Sequence, residues 1–181
     1  MNHAQRNRPL TAADGLYFRA ATPEDRPFIV DTWAESYKFA HAAGLIPMPH
    51  FQLVYRNALN WILDRPGTEV VMAVGPEDVL IGWIGVDRKP QVQNRTRRRG
   101  PSGRVQWVEE IGPAGVPLVL FVYVKTPFRE MGIGRQLFEA AGVTLEDRFL
   151  YASKLVDTAD RVKKHAPLAQ WAPLAARFPK V

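Results

Sequence analysis

The chain contains no cysteine, which excludes disulfides, thiolate metal sites and an enzyme thiol nucleophile together. It also lacks a long apolar run. No stretch reaches the length of a membrane span, and Met1 to Ala20 holds Arg6 and Arg8 without the uninterrupted apolar centre of a secretory leader. No membrane partner is expected, and the expected compartment is the cytoplasm. No glycine precedes a Lys-Ser or Lys-Thr pair, so a Walker phosphate loop is excluded, and no metal site is expected.

What remains is the composition of one folded domain. The length is 181 residues with 46% hydrophobic content, enough for one core and too little for two comfortable ones. Residues 1–14 are polar, basic and aperiodic and read as a flexible arm; residues 15–181 read as the domain. The net charge is +6, and it has a focus, because Arg95, Arg97, Arg98, Arg99 and Arg104 fall within ten residues. Such a run suits a polyanion. Its simpler role is a solvated loop that aids solubility and weakly attracts an anionic cofactor.

The most informative stretch is Leu118 to Gly142. An apolar, strand-like run (Leu118 to Val124) enters a turn with Pro127 and Arg129, crosses Gly132 and Gly134, and becomes an amphipathic helix. A helix start carries unpaired N–H groups and the positive end of the helix dipole, and glycines let a bulky anion come close. Arg129 and Arg135 add formal charge. A dinucleotide fingerprint does not fit, because Leu137 stands where G-x-G-x-x-G/A needs a small residue, and too little chain follows for two nucleotide-binding halves. What fits is R-x-x-G-x-G, spelled Arg129, Glu130, Met131, Gly132, Ile133, Gly134.

This motif resembles the acetyl-CoA-binding loop of the GCN5-related N-acetyltransferase (GNAT) superfamily. The resemblance extends to Val124, Pro127, Phe128, Leu137 and Phe138, with Pro127 one position later than in the usual pattern. It implies an α/β (α+β) fold: a mixed, twisted central sheet flanked by helices, with two parallel strands splayed at the acyl-CoA site. It also implies acetyl-CoA, or another acyl-CoA, held by Val122, Tyr123, Val124, Arg129, Glu130, Met131, Gly132, Ile133, Gly134 and Arg135. The activity implied is transfer of an acetyl group to an amine of a small molecule or macromolecule.

The rest of the chain reads in order as follows. Gly15 to Ala21 is a first strand, and Thr22-Pro23-Glu24-Asp25 a helix start with Thr22 as cap. That helix runs to about Ala43, where Gly44 stops it. A second helix spans Phe51 to Leu63, on the spacing of Phe51, Leu53, Val54, Ala58, Trp61 and Ile62. In the family the loop between these helices borders the acceptor, so Trp33, Glu35 and Tyr37 are the expected substrate contacts, with His41 and His50 beside them. Glu69 to Val74 and Val79 to Val86 form a hairpin, in which Gly82 and Gly85 mark a bulge or a close backbone approach.

Residues 88–117 are an insertion relative to the family pattern, expected as a long basic loop whose Val105 to Val108 piece pairs with the hairpin as an extra edge strand. Asp147 to Ser153 is a strand parallel to Leu118 to Val124, Asp157 to His165 a short helix, and Ala169 to Ala172 a last strand. That C-terminal edge is shorter than the family's, either truncated or completed by a second copy, so a homodimer is one expectation.

The resemblance is weakest where acid–base chemistry is needed. Relatives place a Glu near the fourth strand, and LVLFVYVK has none, so Glu110, with Glu109, Glu35 or bulk water as alternatives, stands in as base. Relatives protonate the thiolate with a Tyr on the helix after the fifth strand; here Tyr151 and Ser153 are the substitutes and His165 a weaker one. Trp33 to Lys38, VYVKTPF and Phe149 to Ser153 are similar to acetyltransferase-like proteins of phages and prophages, some of which modify DNA bases. The alternative function is therefore a catalytically silent module that binds nucleic acid through Arg95 to Arg104.

Overall fold

Seven consecutive apolar or aromatic residues leave a strand no polar face to show to water, and Leu118–Val124 lies accordingly in the interior of a sheet. The computed structural model describes residues 11, 14–37, 48–99, 105–152 and 165–171. Its elements are β1 (Tyr17–Ala20), α1 (Arg26–Tyr37), α2 (Met48–Leu63), β2 (Thr68–Val74), β3 (Leu80–Asp87), β4 (Gln91–Arg99), β5 (Val105–Pro113), β6 (Leu118–Val124), α3 (Ile133–Ala140), β7 (Leu150–Tyr151) and β8 (Gln170–Trp171). Six strands form one sheet in the order β1-β2-β3-β6-β7-β8. The first four are antiparallel; β7 runs parallel to β6, and β8 parallel to β7. This is the mixed, helix-flanked sheet expected from the sequence.

The two faces of the sheet bury two cores. One gathers Ile84, Val86 and Val119 with Ile133, Leu137 and Phe138 of α3. The other gathers Ile29, Val30 and Trp33 of α1 and Leu59 and Ile62 of α2 over Met72, Trp83 and Phe121. Trp33 stacks on Phe121 with ring centroids 5.6 Å apart and meets Trp83 at 5.4 Å. The Trp83 indole N–H donates to Thr32 Oγ1 at 2.8 Å, which satisfies a fully buried donor.

The start of α1 follows its sequence. Pro23–Asp25 form a short 3-10 turn ahead of it. The Asp25 carboxylate accepts the Thr22 amide at 2.7 Å and the Arg19 guanidinium at 2.6 and 2.9 Å. The expected end at Ala43 and Gly44, and His41, lie outside the described residues.

Three expectations need correction. First, α2 does not bury the face inferred for it. Leu53, Val54 and Trp61 are exposed, whereas Tyr55, Leu59 and Ile62 face the sheet. Apolar residues occur on both sides of this helix, so spacing could not choose between them. Second, residues 88–117 are not a loop, and Val105–Pro113 does not join the β2–β3 hairpin. It pairs with β4 in a separate antiparallel ribbon, with Gln91 opposite Pro113 and Arg99 opposite Val105. The hairpin has no edge to offer, since β2 is flanked by β1 and β3 by β6. Third, the strand expected over Asp147 to Ser153 is only Leu150–Tyr151 among the described residues. Of the N-terminal arm over residues 1–14, all but Thr11 and Asp14 lie outside them, and of the helix from Asp157 to His165, all but His165.

Candidate functional site

The site grows from an irregularity in β6. Val86 pairs with Val119 and Gly85 with Phe121, which leaves Leu120 as an extra residue, a β-bulge. Side chains report the same thing: Leu120 and Phe121, though adjacent, both pack on the α1–α2 face, while Val119 and Val122 pack on the α3 face.

A bulge of one residue reverses which backbone groups face which neighbour. Before it, the Pro117 and Val119 carbonyls accept from Leu150 and Ala152, on the β7 side. After it, the Lys125 amide donates to the Ile81 carbonyl at 2.9 Å, on the β3 side, and Tyr123 shares that direction. The N–H groups of Val122 and Val124 must then point away from β3. On that side β7 pairs with β6 only at Leu118 and Val119 among the described residues. Among the described residues a gap opens there, and the Val122 and Val124 amides line it. On this edge the Val124 carbonyl is engaged, accepting from Arg129 Nε at 3.0 Å.

Gly82 is what lets β3 and β6 stay together here. A Cβ on it would overlap the Tyr123 carbonyl, so this glycine marks a close backbone approach, and Gly85 marks the bulge. Both readings offered for these glycines hold, one at each position.

Beyond Val124 the chain makes a 3-10 turn over Thr126–Phe128 and enters α3. Glu130 and Gly132 have φ of 68° and 74° on either side of Met131, an alternation that turns successive amides toward one concavity. The first helical bond is from Gln136 N–H to the Gly132 carbonyl at 3.2 Å, and the amides of Glu130 through Arg135 have no backbone acceptor among the described residues. Phe128, Met131 and Ile133 pack into the α3-side core, which pins the loop. A Cβ on Gly134 would meet nothing within 4 Å. The space above the helix start is therefore open to a ligand, and it would be narrowed by any side chain there.

The other expected residues fall in three places. Arg129 and Glu130 are exposed at the turn, and exposed Arg135 pairs with Glu139 at 3.2 Å along α3. On the α1–α2 face Trp33 is fully buried in the core, and its indole N–H has no hydrogen-bond partner among the described residues. Glu35 is exposed and Tyr37 half-buried. Tyr151 is 6% exposed and sits opposite Val119, the last paired rung beneath the gap. Ser153 lies outside the described residues. Glu110 stands opposite Asn94 in the separate ribbon, not in the main sheet. Among the described residues there is no group of three or more potential metal ligands.

Sequence reasoning missed the aromatic surround of the α1–α2 side. Tyr37 lies 5.4 Å from Tyr55 and 5.9 Å from Phe121, and Tyr123 meets Phe28 edge-on at 6.1 Å. Burial, reinforced by Tyr37, pushes the Tyr55 hydroxyl well above its ordinary range. Tyr55, protonated at neutral pH as an ordinary tyrosine is, is thereby made still harder to deprotonate. Its signal was the Tyr55, Leu59, Ile62 spacing on the less hydrophobic-looking side of α2.

Among known proteins, no protein-family model matches the chain and no curated protein matches it. Solved structures do. A candidate acetyl transferase from Pyrococcus furiosus superposes with a TM-score of 0.56 at 13% identity, over 92% of this chain and 94% of that one. A candidate acetyltransferase from Bacillus subtilis, YycN, gives 0.52 at 13% identity, over 92% and 93%. A single-residue variant of a Bacillus halodurans protein gives 0.51 at 14% identity, over 91% and 95%. These likenesses establish the fold.

Proposed function

We propose that the chain is an acyl-CoA-dependent N-acyltransferase, with acetyl-CoA as the first donor to test and an amine as acceptor. The observation that carries this reading is the bulge at Leu120. It turns the Val122 and Val124 amides to the edge of β6 that β3 does not cover, and the chain continues from there into the amides of Glu130 through Arg135, which have no backbone acceptor among the described residues. A strand edge followed by an anion cradle suits a long ligand with an amide-bearing arm and a diphosphate. The fold shared with two candidate acetyltransferases points the same way.

The residues present fit such a ligand. The cradle would take the diphosphate on backbone N–H groups at the positive end of α3, and the empty space over Gly134 is the room it needs. Arg129 and Arg135 would add charge at the rim. Val122 and Val124 would hydrogen-bond the arm. When bound, acetyl-CoA supplies a thioester carbonyl and a thiolate leaving group.

In the reaction the amine nitrogen forms a bond to the acyl carbon as the carbon–sulfur bond breaks; the amine loses a proton and the thiolate gains one. Val122 N–H or Val124 N–H is the donor for the carbonyl oxygen as negative charge builds on it. Tyr151 is the proposed proton donor to the sulfur, supported by its position at the last rung beneath the gap. The acceptor would approach from the α1–α2 side, past Tyr37 and Tyr123, with Glu35 at its mouth.

Calorimetric titration of the protein with acetyl-CoA and with CoA tests the reading. Stoichiometric heat with both, lost in Gly134→Trp, is expected. Absence of heat and of thermal shift with either ligand would refute it.

A further inference from the structure

The arginine-rich segment is not a loop, and the register of its ribbon sorts its charges. In the half of the β4–β5 ribbon nearer the main sheet Arg95 stands opposite Glu109 and Asn94 opposite Glu110, so an arginine and an acid share a rung. In the distal half Thr96, Arg97, Arg98 and Arg99 stand opposite Val108, Trp107, Gln106 and Val105. That half contains three arginines and no acid, and Arg104 belongs to the connection at its tip. The ribbon is thus near neutral where it leaves the sheet and strongly cationic farther out.

Its origin separates it from the proposed cofactor cradle. The ribbon leaves from the Asp87 end of β3 and returns at Leu118, whereas the cradle follows Val124 at the other end of β6. Seven strand residues span roughly 20 Å. Arg88, at the ribbon's foot, is spent on the sheet and helix: it pairs with Glu69 at 2.8 Å and caps the Ala141 carbonyl. The distal arginines therefore have no evident task in holding a CoA diphosphate.

From this charge segregation we infer that the distal half of the β4–β5 ribbon is a nucleic-acid contact that takes the phosphodiester backbone. Arginine is suited to phosphate through its planar fork of donors. Trp107, directly across from Arg97 in the register, brings an aromatic of the kind on which bases stack. A two-stranded ribbon is also an element that a duplex major groove admits. The neutral base and cationic far half are the distribution expected of an arm that reaches for a polyanion from a body serving another purpose. This inference stands apart from the acyltransferase reading and requires no acyl-CoA.

The test is fluorescence anisotropy of the full chain, without acetyl-CoA, against labelled 20-nucleotide single-stranded DNA, the matching duplex and the same sequence as RNA, from 50 to 300 mM salt. Binding that weakens with salt is expected for at least one of them, and the preferred form identifies the source of the phosphate backbone. The triple variant Arg97→Gln, Arg98→Gln, Arg99→Gln should bind at least about tenfold more weakly, with the log–log salt slope reduced by about 2 to 3. Its thermal midpoint should match the parent's, and the triple Lys variant should regain most of the affinity. Glu109→Gln with Glu110→Gln should not weaken binding. No binding at 50 mM salt would overturn the inference. So would equal affinity in the triple Gln variant, or displacement of nucleic acid by polyglutamate at lower concentration than by unlabelled DNA or RNA.

Discussion

Arg129 donates through Nε to the Val124 carbonyl at 3.0 Å, tying the last residue of β6 to the turn that opens α3. The side chain thereby engages the carbonyl on the gap edge nearest the glycine turn, which would otherwise face an anion there, while keeping its charge at the rim of that turn. Arg129→Ala should weaken acetyl-CoA binding by about tenfold, or about 1.4 kcal/mol, because it removes both the clamp and the charge. The thermal midpoint should move little, since the residue is exposed. Calorimetry paired with a melting curve checks both halves; equal affinity would show that the clamp has no part in binding.

Gly134 separates folding from binding. Its position in α3 is helical, and nothing lies within 4 Å of the place a Cβ would take. Gly134→Ala should therefore leave stability unchanged or raise it by up to about 1 kcal/mol, while reducing acetyl-CoA affinity. Gly134→Trp should fold equally well and bind none. Thermal melts with and without ligand distinguish this outcome from simple unfolding.

Gly82 is expected to behave in the opposite way. A methyl group there meets the Tyr123 carbonyl, a backbone atom that moves only if β6 moves. Gly82→Ala should destabilise the protein by about 2 to 4 kcal/mol. Any folded fraction should bind acetyl-CoA poorly, because the displaced strand carries Val122 and Val124. Urea unfolding of the variant gives the first number, and titration below the transition gives the second.

Asp25 supplies a pH dependence. The Arg19 guanidinium beside it holds its carboxyl below the ordinary carboxylate range, with the Thr22 amide adding to the effect against burial. A carboxylate with a lowered folded-state pKa stabilises the fold above its unfolded pKa, near 3.9, and loses that contribution as pH falls through the folded value. Asp25→Asn should cost about 2 to 3 kcal/mol at neutral pH, below the range for a fully buried pair because Arg19 is partly exposed. The difference between parent and variant should shrink steadily below about pH 4. Denaturant melts at pH 7, 4 and 3 test it, and a difference independent of pH would contradict the assignment.

How far the sequence was legible depended on the range of the signal. The turn from β6 to α3 could be seen because everything it needs is local: an apolar run, two glycines and an amphipathic helix within a short segment. The β2–β3 hairpin was legible for the same reason. The β4 strand was not, because Gln91 to Arg99 holds almost no apolar residue to mark a period of two, and its partner lies across a connection that spacing does not measure. The buried face of α2 was missed because Leu53, Val54 and Trp61 look like core, and only the sheet's position decides that Tyr55, Leu59 and Ile62 are.

The candidate site shows the same divide. Gly132 and Gly134 announced the cradle, since glycine is needed where backbone must turn left-handed or admit a ligand. Which amides of β6 face the gap could not be foreseen, because it follows from the pairing register with β3. Tyr151 likewise had the residue type for a proton donor, but its burial and its rung opposite Val119 are properties of the assembled sheet.

Leu120 gives that register a practical meaning. A β6 that paired regularly, with Leu120 in place of Phe121 opposite Gly85, would keep the same sequence and every one of its side chains. It would nevertheless return Val122 and Val124 to the ladder with β3, present Tyr123 in their place, and push Phe121 from the α1–α2 core to the opposite face. For anyone reshaping this protein, the pairing register of β6 is therefore as much a specificity determinant as its composition: removal of Leu120 itself leaves Val119 and Phe121 on consecutive rungs, whereas an insertion or deletion between Phe121 and Val124 should be more damaging than most substitutions.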